Sequence, residues 1–330
     1  MIPPRILAIA FLIGAVSSSA TEARAAVLKK REDIPLPGPA VRFDYQSIDT
    51  IGNRLYISHM DAGELVVFDL AGNHVLGVVR DLPRVTGVWV VPALGKVYAS
   101  VAGRRQVAVI DARALRVIAQ IGPIGFPDGI AYAPAQKKIY VSDESGGGEL
   151  VIDGTASKAL AMIPLGGEAG NTIFDPGSGR ILVAVQTRNE IAEIDPRTDG
   201  VVARHKLTGA DRPHGLSLDP RRRLLFVANE GNSTLLTVDL ESMAVVGKNR
   251  VGEDPDVLAY DPVLGRLYVA SESGVVSVFT VRDGRAVRES DLRIPHAHTV
   301  SVDPRTHFVY LPLQNVAGHP VLRIMTPRLP

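Results

Sequence analysis

Short apolar runs rich in Val and Ile alternate along the chain with breaks of Gly, Pro, Asn and Asp. Runs of this length between turn residues read as strands, because a helix needs a longer segment with apolar positions every three to four residues. The runs also recur. Asn53-Arg54-Leu55-Tyr56-Ile57-Ser58 is matched by segments beginning at Gly95, Lys137, Gly179, Arg223, Gly265 and Thr306, and the central residue advances by 42 positions at each step, once by 44.

Each copy has one grammar: a first strand ending near Pro, a second such as Ile139 to Ser142, a third such as Gln106 to Asp111 and a fourth such as Arg116 to Gly122. Four strands in each repeat of this length is the pattern of a propeller blade. The sequence therefore predicts an all-β fold, a seven-bladed β-propeller with four antiparallel strands per blade. One blade alone leaves both faces uncovered, whereas seven packed radially bury a continuous core. The last copy supplies a third strand around Val321 to Met325 and no fourth, while Asp33 to Gly38 resembles the fourth strand of copy three, Met162 to Gly167. The N-terminal segment is thus expected to close the last blade.

Composition narrows the class. With 330 residues, 46% hydrophobic and 22% charged, the chain is neither disordered nor collagen-like. The absence of cysteine removes disulfides, thiolate nucleophiles, iron–sulfur clusters and covalently attached haem c. Arg5, the apolar run Ile6 to Val16 and the small residues up to Ala25 read as a signal peptide over residues 1–25, leaving one domain over 26–330 that is periplasmic or secreted. No apolar stretch approaches the roughly 20 residues that span a bilayer, so no transmembrane segment is expected in the mature chain. The leader would carry away Arg5, Arg24 and Glu22 and with them the net charge of +1. A neutral remainder argues against nucleic acid or an anionic membrane as partner.

The repeated Tyr-Val-Ser/Ala and Val-Ile-Asp pattern, with Pro-Asp-Gly-Ile-Ala at 127–131, resembles the YVTN/YncE-like family of bacterial β-propellers across essentially the whole mature chain. The resemblance implies a seven-bladed, usually exported protein; related propellers include lactonases, a metal-dependent antibiotic lyase and many members without assigned activity. No Gly-His/Trp-Asp signature is present and Trp89 is the single tryptophan. This argues against a WD40 protein and a tryptophan-docked quinoprotein.

The repeat serves as an internal control, because residues common to most blades are structural. Asp69, Asp111, Asp153, Asp195 and Asp239 form one column and the Asp-Pro pairs at Asp175, Asp219, Asp261 and Asp303 another; both read as turn carboxylates. A third column keeps its register and varies its identity: Asp44, Thr86, Asp128, Gly170, His214, Asp256 and His298. It stands where each chain enters the innermost strand, so it should ring one mouth of the central channel. The antiparallel second strands end at the same face and bring His59, Asp143, Asn229 and Ser271, then Met60, Glu144, Glu230 and Glu272.

His214, Asp256, His298 and Asp44 come from consecutive blades around the closed ring, with His59 near Asp44. Imidazoles with carboxylates suit a divalent transition ion, Zn, Mn, Fe or Cu, better than Ca. The alternative is a wet polar mouth without an ion. Two function classes stay open. One is a binding propeller that takes a small molecule or partner protein on the loop face of the channel mouth. The other is a metal-dependent, lactonase-like hydrolase or lyase, in which Asp128, Asp143 or Glu144 would act as general base. The sequence leaves the oligomeric state open.

Overall fold

The computed structural model describes Met1 and residues 27–329; the signal peptide read at residues 1–25 lies, Met1 apart, outside them. The described residues form seven four-stranded antiparallel sheets in a ring, with single 3-10 turns between strands. Among the described residues no helix is long and apolar enough to cross a membrane.

The second and third strands of each blade pack against neighbouring blades on both faces. Their side chains are accordingly buried in continuous runs, as in Leu55, Tyr56 and Ile57 or Val107, Val109 and Ile110. The fourth strand has one wet face, so Arg116–Ile121 alternates exposed and half-buried positions. The register between third and fourth strands slips at the same place in each of six blades, for example at Val109/Ile110 and Val151/Ile152. Such bulges strengthen the twist that radial packing requires.

The N-terminal strand, Leu28–Pro35, lies antiparallel to His319–Pro327 as the outermost strand of blade seven. It starts at Leu28, earlier than the expected Asp33, because pairing continues to Pro327. Arg323 grips Asp33 through two hydrogen bonds of 2.7 Å each, and the Leu36 amide donates to the Pro320 carbonyl.

The repeated aspartates do what their repetition implies. Asp111 accepts from the amides of Arg113 and Ala114, and Asp153 from those of Thr155 and Ala156. The Asp-Pro carboxylates also take arginine partners: Asp175 pairs with Arg223 and Asp219 with Arg222. The tyrosine column adds ties between blades to its packing, since Tyr98 donates to the Gly154 carbonyl and Tyr140 to Asp199.

Candidate functional site

Where the chain enters the inner strands of blades two to six, the register with the second strand breaks across two residues. The breaks fall at Val85/Val88, Pro127/Ile130, Ala169/Thr172, Pro213/Leu216 and Pro255/Leu258. The residues freed from the ladder are the variable column and its successor, so the break is what releases these side chains. Adjacent inner strands come close there. A Cβ on Gly87 would meet the Asp128 carbonyl at 1.9 Å, and one on Gly215 the Asp256 carbonyl at 1.9 Å. Only glycine permits that approach.

The ring encloses a cavity of about 310 Å³ lined by Arg42, Asp44, Tyr45, Met60, Thr86, Phe126, Asp128, Glu144, His214, Glu230, Asp254, Asp256 and Glu272. Seven of these carry carboxylates and two can carry positive charge. Burial, reinforced by neighbouring carboxylates, drives the Asp44 carboxyl well above its usual range. Asp256 is pushed up to about 7, chiefly by burial, although His214 opposes the shift. Asp128 is also raised by burial, against the pull of His214.

Asp44, Asp256 and His298 bring one ligand atom each to within 4.8 Å of one another. The His298 Nε2–H donates to the Phe43 carbonyl at 2.7 Å. That bond leaves Nδ1 with its lone pair and fixes the ring, the arrangement that ligating histidines adopt. Burial, seconded by the Arg42 guanidinium, lowers the His298 pKa, which favours the neutral imidazole a metal needs. Arg42 itself holds Glu272 at 2.5 Å and lies 4.0 Å from Asp256.

His214 is not one of the three, although it reaches Asp256. Its Nε2 lies 3.0 Å from the Tyr45 hydroxyl and 3.5 Å from Asp256 Oδ1, and its Nδ1 lies 3.4 Å from Glu230 Oε1. Burial works against protonation, but Asp256, Glu230, Asp128 and Glu144 outweigh it and raise its pKa. His214 is thereby suited to hold charge among acids rather than to give a lone pair to an ion.

Geometry sets two further candidates away from the cavity. The His59 ring is buried and stacks on Phe43, centroids 4.0 Å apart, and is not among the cavity-lining residues. Asp143 also lies outside that lining; its carboxylate accepts from the amides of Gly125, Phe126 and Gly146 and so clamps a loop. From the second-strand ends it is instead the following residues, Met60, Glu144, Glu230 and Glu272, that reach the cavity. Glu144 accepts from Gln186 at 3.1 Å and is raised by burial and by Asp128.

Tyr45, Arg42, Phe126 and Asp254 went unpredicted. For Tyr45 a signal existed: blades two, three and five carry glycine at its position, Gly87, Gly129 and Gly215. Its hydroxyl donates to Asp128 at 3.1 Å. Tyr45 also lines a second cavity, toward the other end of the channel, and so stands between the two.

No family model matches the chain, and no curated protein matches it. Among solved structures it is similar to Kuenenia stuttgartiensis hydrazine synthase, with a TM-score of 0.73 over 87% of this chain and 96% of that chain. At 17% sequence identity the likeness shows a shared β-propeller fold and nothing finer.

Proposed function

We propose that the protein is an exported binding propeller of YVTN/YncE-like kind whose acidic mouth holds one divalent transition ion on Asp44, Asp256 and His298. The observation that carries this reading is the convergence of the three ligand atoms within 4.8 Å. A tetrahedral ion with bonds of about 2.1 Å spaces its ligands by roughly 3.4 Å, within reach of small side-chain adjustments. Three protein ligands leave a coordination position toward the cavity, where a small molecule or a protein side chain can enter. Elemental analysis of protein purified without chelators is the test. One Zn, Mn, Fe or Cu per chain, lost in His298→Ala, supports the site; an unmetallated protein that also fails to take up any of these ions returns the mouth to a plain polar ring.

A second reading, a lactonase-like hydrolase, is favoured by Glu144. Its raised carboxyl lines the cavity beside Asp128, as a general base working near neutral pH requires. When bound, the ion would supply Lewis acidity to a substrate carbonyl. Glu144 would take the proton of the attacking water. Hydrolysis of a simple lactone that disappears in Glu144→Gln, with ion content unchanged, would select this reading. Export is tested separately by intact mass, expected to begin at Ala26.

A further inference from the structure

The second cavity, about 300 Å³, is lined by all seven inner strands, and its chemistry is opposite to that of the first. None of its lining residues is Asp, Glu, His, Lys or Arg. Instead it offers the hydroxyls of Ser47, Ser217 and Ser301 and the carboxamides of Gln46 and Asn171, set among Val, Ile and Leu. Ser47, Ser217 and Ser301 occupy one column of the repeat, the fourth residue of the segment that begins at Asp44, His214 and His298 respectively. Blade two places Trp89 in that column, beside Ser47 and Ser301 in consecutive blades. The single tryptophan of the chain thus lies on an inner strand at a channel opening, 38% exposed.

The fold does not require serine or tryptophan at this column. Ala131 and Ala259 fill the same column elsewhere. A half-exposed Trp89 contributes less to stability than a buried one, while its face and the hydroxyls together form a surface suited to a ligand.

We propose that this end of the channel is a binding site for a small, neutral, polyhydroxylated molecule of monosaccharide size. Charge is excluded because a buried ion would meet no counter-charge there. A purely apolar ligand would leave serine and amide groups dehydrated without partners. A pyranose satisfies both conditions, laying its C–H face on the Trp89 ring and its hydroxyls on Ser47, Ser217, Ser301 and Asn171. Ser47 Oγ already accepts from the Val90 amide at 3.1 Å, so its proton remains to be donated. Ser301 donates to Gln46 at 2.9 Å and keeps its lone pairs for a ligand hydroxyl. The volume lies at the lower end of the range for ligand pockets, which admits one ring and not a chain of them.

Trp89 reports on its own site, since no other tryptophan contributes fluorescence. The test titrates the intact protein with glucose, galactose, mannose and myo-inositol, and with glucuronate and glucosamine as charged counterparts, to about 50 mM, which saturates a site of Kd about 1 mM. The expected result is a saturable emission change with at least one neutral member, weaker by about tenfold or more in Asn171→Ala and in Ser217→Ala, each checked for an unchanged melting midpoint. Should one variant fail to fold, the other decides. Removing divalent ions with a chelator should leave the titration as it was, which separates this site from the acidic one. No saturable response to any neutral member, an equal response to the charged members, or a response unchanged in both variants would overturn the proposal.

Discussion

The two ends of the channel are built from the same seven strands, yet a few residues along each strand convert a mouth crowded with carboxylates into one without a charge. Asp44, His214 and Asp256 line the acidic cavity, and Ser47, Ser217 and Ala259, three positions on, line the neutral one. Tyr45 stands between, its hydroxyl tied to Asp128 and His214. The contrast teaches that the repeat fixes the frame and leaves whole columns free to take up different chemistry. A site is found where one column departs from its own average.

The harshest way to break the comparison is to remove what both ends share. Deleting Leu28–Pro35 strips blade seven of its outer strand and leaves an unpaired edge. Stability is expected to fall by more than about 4 kcal/mol, with aggregation. Urea unfolding and light scattering check this; an unchanged midpoint would mean that the strand is no clasp. Next in size, His298→Ala should weaken Zn binding by about 100-fold, a loss of about 2.7 kcal/mol measurable by calorimetry, while the Trp89 response of the other end stays put. Equal loss at both ends would show that the two are one site.

A carboxylate belonging to neither cavity sharpens the contrast. Glu149 is fully buried, and burial raises its pKa well above the usual value against the pull of the Thr172 hydroxyl. Blades one, two and five carry Leu65, Val107 and Leu235 at the equivalent place in the third strand. An acid raised on folding stabilises fully below its unfolded pKa of about 4.3 and loses that contribution as pH rises toward the folded value. Glu149→Gln should therefore gain about 2 kcal/mol at pH 8 and close to nothing at pH 4. Thermal melts at the two pH values decide, and a gain that grew on acidification would contradict the assignment. The acids of the mouth, by contrast, share Arg42 and His214. Smallest of the effects, Tyr45→Phe keeps the ring between the cavities and removes its hydrogen bonds to Asp128 and His214, for a loss of about 1 kcal/mol. A melting midpoint equal to the parent's would show that those bonds contribute nothing.

The seven blades, their four strands and the closing N-terminal strand were legible in the sequence because a fixed period exposes its own grammar. The mouth column was legible for the same reason. Which of its members meet was not. Asp44, Asp256 and His298 bring ligand atoms together, while His214 reaches Asp256 but is shared with Tyr45 and Glu230, because local hydrogen bonds such as the one from His298 to the Phe43 carbonyl orient each ring. His59 escaped for a related reason: strand register gives a position along the channel, but alternation sent its ring onto Phe43. Arg222 and Arg223, adjacent in the chain, hold Asp219 and Asp175 respectively. The first pair is local, but Asp175 and Arg223 are 48 residues apart, and only tertiary structure brings them together.

The closing strand also has a consequence in time. Asp33 and Arg323 are 290 residues apart. Six blades can pair from neighbouring segments as they are synthesised, but the seventh waits until the residues around Arg323 have been added. Contacts of such long range form slowly. Until then an incomplete ring presents open strand edges, the surface that chaperones shield and proteases find. Completion of the circle is therefore the step that needs both ends of the chain, and it separates a finished molecule from a nascent one.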